Sequence, residues 1–267
     1  MDSVIERNHG FMGMDSALKD SGLERVDNHV KPKGFELVVA TTSDIRSHPH
    51  ELYISMIANR LDQWARPDWL DLGCGWHFDW PWELEREKKM LGRANVVGLD
   101  LDCQAVAKHR TMVKKVVGSI ATLPFASGSF DVVTANVVVE HLKYPSLAFS
   151  EVFRVLRRDG SFILRTPSAR SYFVRIARLL PQGFKVWLAT GIIQKRKPED
   201  IYPAHYRANT SAVIEEICKI VGFRRLDVRV TRARGILTRV PALARVERIA
   251  ASAAGMSEGN LVVEAFK

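Results

Sequence analysis

The chain has 267 residues, 46% of them hydrophobic and 26% charged, with 17 Gly, 11 Pro and 3 Cys. That is enough to bury one large core or two modest ones, and it excludes a disordered or collagen-like chain. Cys74, Cys103 and Cys218 lie far apart with no CxxC pair, which argues against a disulfide scaffold and a structural zinc site and for a reducing compartment.

Met1–Arg7 shows no basic stretch leading into an apolar one, so no signal peptide is expected. No apolar run nears the roughly 20 residues that span a bilayer. The expectation is a soluble, cytoplasmic protein. Charge is divided unevenly: the net is +9, but residues 1–150 hold 17 Lys+Arg against 20 Asp+Glu, and residues 151–267 hold 22 against 10. A basic second half suits an anionic partner such as a phosphorylated or acidic substrate, an anionic lipid surface or nucleic acid, or else is a solvated face.

Residues 1–47 are polar and weakly periodic and read as an N-terminal extension; a single domain follows from residue 48. From Pro49, the spacing of Leu52, Ile54, Ile57, Leu61 and Trp64 predicts a helix that ends before Pro67. Trp69–Leu72 reads as a buried strand entering the turn Gly73-Cys74-Gly75. A helix with Pro81 in its first turn follows, then a strand over 94–99, a helix over Cys103–Met112 and a short strand over 115–117. Phe130–Ala135 is a strand, Tyr144–Leu156 an amphipathic helix closed by residues 157–160, and Ser161–Arg165 a strand. Asn209–Val221 is a helix with capping candidates at residues 209–211 and Gly222 past its end. Strands over 226–230 and 261–266 complete the series. Such alternation predicts an α/β fold: a doubly wound, mostly parallel sheet with right-handed crossovers, interrupted by an insertion near 170–206.

In such a sheet, ligands bind beyond the carboxyl ends of the strands. Asp71-Leu72-Gly73-Cys74-Gly75 gives a tight turn that a ligand can approach closely, and Asp100 ends the next strand about 25 residues on, placed to accept ribose hydroxyls. A dinucleotide fingerprint lacks its third glycine here, and GxxxxGK[ST] is absent. A carboxylate at Asp71 would repel a pyrophosphate and suit a cation, which favours S-adenosyl-L-methionine over NAD or ATP.

Trp69–Gly75, Val97–Asp102, Gly118-Ser119-Ile120, Leu123-Pro124-Phe125, Gly128–Val133 and Asn136–His141 fall in order. Together with Phe153–Leu156 and Gly160 they resemble the class I S-adenosylmethionine-dependent methyltransferases of the type 11 family, over roughly residues 65–168. Glu199–Pro203 and Tyr206–Thr210 are similar to a subgroup linked with bacterial surface-polysaccharide or lipid modification. The resemblance implies a seven-stranded Rossmann-like sheet with a helical lid. It also implies that Gly73, Cys74 and Gly75 pass along the methionine part of the cofactor and that Asp71 helps hold its amino group. Asp100 would bind the ribose, Leu101 the adenine face, Ser119 and Ile120 the adenine edge, and Asn136 the methionine carboxylate side. His77 and Ser119 stand where the family commonly has a glycine and an acidic residue.

If the acceptor is a hydroxyl, His141 is the best-placed base; the alternative is that it packs under the cofactor or caps the following helix. His205, Tyr206 and Arg207 are candidates for lining the acceptor pocket, or else the entrance to the next helix. The insertion, with Phe173, Phe184 and Trp187 among Arg and Lys, suits a lid over an amphiphilic acceptor or contact with anionic lipid. Asn136-Val137-Val138-Val139 lacks the Asn-Pro-Pro-Tyr platform that grips base amines, which lowers a nucleic-acid reading. The expected function is methyl transfer to oxygen of a small or lipid- or glycan-linked acceptor. The alternatives are RNA or protein methylation, or a nucleoside-binding regulator without turnover.

Overall fold

Eight strands form one sheet in the computed structural model, which describes residues 34–41, 48–76, 84–109, 111–172, 174–175, 202–232 and 257–267, with single positions between 245 and 255. In chain order these are β1 (Glu36–Thr41), β2 (Asp68–Leu72), β3 (Asn95–Asp100), β4 (Lys114–Val117), β5 (Phe130–Asn136), β6 (Leu156–Pro167), β7 (Arg225–Arg232) and β8 (Glu258–Phe266). The helices are α1 (Pro49–Leu61), α2 (Leu84–Leu91), α3 (Cys103–Lys108), α4 (Pro145–Val155) and α5 (Ser211–Val221). The strand order is β1-β7-β8-β6-β5-β2-β3-β4, parallel except for β8, which runs antiparallel to both β6 and β7.

The sheet thus has eight strands where the resemblance implies seven. The additional one, β1, lies in the stretch expected to be an extension and pairs in parallel with β7 at the sheet's edge. Its apolar side chains are only partly covered, with Val39 53% exposed. An edge strand with one ladder and little burial leaves a weak apolar pattern, which is why the polar surroundings masked it.

Each face of the sheet carries its own core. Leu70 and Leu72 point to one side, with Val133, Phe162, Leu164 and the apolar stripes of α4 and α5. Trp69, Val132, Ile163 and Val262 point to the other, against Tyr53, Ile57 and Leu61 of α1. Because both faces are covered, β2 reads as a nearly continuous apolar run rather than an alternating one.

Local chemistry sets the helix ends. Pro145 opens α4, Thr210 caps α5 through Val213 N–H at 3.3 Å, and Gly222 closes it at φ +110°. The helix expected over 103–112 stops at Lys108, because His109 turns extended and accepts a hydrogen bond from Met112 N–H on Nδ1. The helix expected to reach Leu156 ends at Val155, and β6 starts at once: Leu156 pairs with Phe130 before a register shift.

Candidate active site

Strand order reverses between β2 and β5. A crevice at such a switch point, beyond the carboxyl ends of the strands, is where open α/β sheets hold ligands. Its floor is the turn after β2. Gly73 has φ +67° and Gly75 φ +56°, conformations that cost a residue with a Cβ about 1–2 kcal/mol. Gly73 and Cys74 both donate N–H to the Leu99 carbonyl, at 2.7 and 3.2 Å, which ties the turn to β3. A Cβ on Gly73 would stand 2.4 Å from Val138 Cγ2, whereas one on Gly75 would meet nothing within 4 Å. Gly73 is therefore wedged under the end of β5, and Gly75 opens onto free space.

Asp100 is the organising carboxylate. Its Oδ2 accepts from Gly75 N–H at 2.9 Å and its Oδ1 from Asp102 N–H at 2.9 Å. Each oxygen keeps acceptor capacity for one more donor, which matches a pair of ribose hydroxyls. Beside it, Leu101 is 73% exposed, apolar surface available to a flat ring. Gly118 N–H donates to the Asp100 carbonyl at 2.9 Å, which brings Ser119 and Ile120 alongside. Ser119 is exposed with its Oγ accepting from Ala121 N–H, and Ile120 packs against the core. These residues fit an adenosine: an open backbone turn, a two-oxygen acceptor and an uncovered apolar rim.

At the end of β5, Asn136 Oδ1 accepts from Arg165 Nε at 2.7 Å. Val137 follows at φ +59°, a strained backbone for a β-branched residue and of the kind that clusters at functional sites. The strain turns the chain so that Val138 covers Gly73.

One expectation needs correction. Asp71 does not face the crevice as a fixed anion. It is only 3% exposed, its Oδ1 accepts from Thr134 Oγ1 at 2.6 Å, and burial pushes its carboxyl up to about 7. Alternation along β2 turns it toward Tyr53 and α1, so the discrimination between a cationic and a diphosphate ligand that its charge was expected to supply falls to Asp100. Cys74 is buried, with its thiol pushed up by desolvation, first, and by the Asp71 and Asp100 charges. It packs as a small residue in the turn.

His141 ends a 3-10 turn, Val139–His141. Its Nδ1 lies 2.9 Å from the Pro203 carbonyl oxygen. A carbonyl can only accept, so Nδ1 carries the proton and Nε2 of the neutral ring carries the lone pair. The ring meets Tyr202 edge to face, with centroids 6.1 Å apart, and Tyr202 Oη donates to Asp102 Oδ2 at 3.0 Å. His205 and Tyr206 both donate N–H to the Glu140 carbonyl, at 2.7 and 3.0 Å. Residues 202–206 thus run from the β3 rim to the β5 rim, and Arg207 follows directly. Glu140 itself is buried with its carboxyl raised by desolvation, and Oε2 accepts from Thr166 Oγ1 at 3.0 Å.

The structure places Gly73, Gly75, Asp100, Leu101, Ser119, Ile120 and Asn136 at or just beyond the carboxyl ends of β2, β3, β4 and β5, with His141 just after β5 and His205 and Tyr206 bonded to the Glu140 carbonyl. Sequence reasoning missed Arg165 and the clasp of Tyr202 on Asp102; a charged residue ending an apolar strand at Arg165 was the available signal. His77 and most of the expected lid, residues 176–201, lie outside the described residues, as does most of the basic stretch over 231–251. Among the described residues no cluster could hold a metal, and no helix is long and apolar enough to cross a membrane.

Residues 70–164, from within β2 to Leu164 of β6, match the family model described as "Methyltransferase domain". Over these residues the chain is similar to methyltransferases. A protein of Mycolicibacterium smegmatis named "Probable S-adenosylmethionine-dependent methyltransferase" is 34% identical over 122 residues, 45% of this chain and 44% of its own. A malonyl-[acyl-carrier protein] O-methyltransferase of Hahella chejuensis is 29% identical over 161 residues, 57% of this chain and 56% of its own. The chain thus spans about half the length of the curated relatives it matches. The crystal structure of a SAM-dependent methyltransferase from Archaeoglobus fulgidus superposes with TM-score 0.52 at 16% identity, covering 84% of this chain and 96% of that one, which shows the shared fold.

Proposed function

We propose that the chain is a methyltransferase acting on an oxygen of a small or lipid- or glycan-linked acceptor. Asp100 receives the ribose hydroxyls, Leu101, Ser119 and Ile120 border the adenine, and the Gly73–Gly75 turn and Asn136 line the amino-acid part. When bound, the cofactor supplies a methyl group on a sulfonium, already activated for displacement. The chain's own task is to align the acceptor, exclude water and take the acceptor's proton.

One observation carries the choice of oxygen: the Pro203 carbonyl holds the His141 proton on Nδ1. That leaves Nε2 to receive the proton of a hydroxyl as the new O–C bond forms. Tyr202, His205 and Tyr206, anchored on Asp102 and Glu140, wall the acceptor side, and Arg207 suits an anionic group on the acceptor. The O-methyltransferase relative of Hahella chejuensis supports an oxygen acceptor.

The test incubates the purified protein and His141→Ala with methyl-labelled cofactor and cell extract, and follows label into small molecules, lipids and RNA. Label in a methyl ether or ester, lost in His141→Ala while S-adenosylhomocysteine still binds, is the expected result. Unchanged turnover in the variant would remove His141 as base, and label confined to RNA or protein would replace the acceptor reading.

A further inference from the structure

Arg165 stands at the carboxyl end of β6, paired with Asn136 on β5 and Val262 on β8. Its neighbour two residues back, Ile163, and its partner Val262 both belong to the core under α1. Its side chain therefore lies on the α1 face, where Tyr53 and Glu140 are its charged or polar neighbours. The guanidinium is partly buried, and desolvation pulls it below its ordinary value. Only Nε is engaged, by Asn136 Oδ1 at 2.7 Å. Among the described residues neither terminal nitrogen has an acceptor and no carboxylate comes within ion-pair distance, yet neither nitrogen is sealed from solvent. By contrast Arg60, which also packs against this face of the sheet, is paired with Glu264 and the Ser161 hydroxyl.

A cation withdrawn from water without a counter-ion is costly, and a fold keeps one where something else supplies the anion. The two open nitrogens form a planar fork, held at its base by Asn136 at the end of β5. That geometry fits the two oxygens of a carboxylate.

We propose that Arg165 is the anchor for a carboxylate bound in this crevice, presented either by the amino-acid end of the cofactor or by the methyl acceptor. The inference rests on the cofactor reading above and assigns Arg165 a binding role that position in an apolar strand does not give it.

Calorimetry on the full chain tests it, with S-adenosylhomocysteine, which carries the carboxylate, and 5′-methylthioadenosine, which lacks it, titrated into wild type and Arg165→Met. If the cofactor supplies the carboxylate, R165M weakens S-adenosylhomocysteine roughly ten- to a hundredfold and leaves methylthioadenosine unchanged. If the acceptor supplies it, both nucleosides bind R165M as they bind wild type. Acetate, against chloride at matched ionic strength, then raises the melting temperature of the loaded wild type but not of loaded R165M. In both cases R165M melts no lower than wild type, since an unpaired cation has been removed.

Equal affinities together with an equal acetate response would overturn the proposal. So would a lower melting temperature with both nucleosides weakened alike, the mark of a merely structural arginine. Arg165→Lys, which keeps the charge and loses the fork, repeats the comparison if R165M does not fold; a smaller loss in the same direction is expected, and no loss counts against the anchor. Wild type that binds neither nucleoside would bring down the cofactor reading itself, a result distinct from all of these.

Discussion

Asp71 offers the sharpest link between burial and a measurable quantity. It is 3% exposed on the α1 face of β2, and desolvation raises its carboxyl from 3.8 to about 7, against the opposing hydrogen bond from Thr134. Between those two values the folded chain holds a proton that the unfolded chain has released. Stability from this group is therefore fully present below the unfolded value, falls as pH rises through the interval, and levels off above the folded value. At 1.36 kcal/mol per unit, the loss between pH 5 and pH 8 comes to about 2–3 kcal/mol. Asp71→Asn retains an acceptor for Thr134 and abolishes the titration. Urea unfolding of both proteins at pH 5, 6, 7 and 8 isolates the effect. Glu140 and Glu264, also raised by burial, contribute to both proteins and cancel in the difference. D71N should gain on wild type by about 2–3 kcal/mol across this range. Parallel pH profiles would refute the reasoning, because they would mean that Asp71 is already ionised in the folded state.

The other predictions concern the turn and the ribose carboxylate. Gly73→Ala forces a Cβ to 2.4 Å from Val138 Cγ2 at φ +67°; the backbone alone costs about 1–2 kcal/mol, and a larger loss in thermal unfolding, with weakened S-adenosylhomocysteine binding, is expected. Gly75→Ala has the same backbone cost but open space, so it should be the milder change in stability, and the reverse ranking would contradict the geometry of the turn. Asp100→Asn should weaken S-adenosylhomocysteine roughly ten- to a hundredfold by calorimetry and also loosen the turn, since Gly75 and Asp102 N–H lose their charged acceptor.

Much of the fold was legible because its elements are strongly patterned. β2, β3, β5 and β6 are apolar runs bounded by Gly or Asp, and α4 and α5 carry Pro145, Thr210 and Gly222 at their ends. The ribose carboxylate and glycine turn could be read because they depend on residue type and spacing alone. β1 was not legible, since a half-covered edge strand needs few apolar residues. The direction of Asp71 was misread for another reason. Which face a strand residue takes depends on what covers each face, and with both covered the sequence of β2 shows no alternation to follow. Arg165 was passed over because an arginine ending an apolar strand is ordinarily solvated, so that signal does not single it out without the structure. The tautomer of His141 depends on a carbonyl 62 positions away, a contact that no local pattern announces.

The central claim is that Gly73–Gly75 and Asp100 form a nucleoside cradle at the β2–β5 switch point. A crystal structure of the chain with S-adenosylhomocysteine tests it most directly. The account predicts both ribose hydroxyls within hydrogen-bond distance of Asp100, with the adenine against Leu101. A nucleoside bound elsewhere, or Asp100 still engaged only by Gly75 and Asp102, would contradict it.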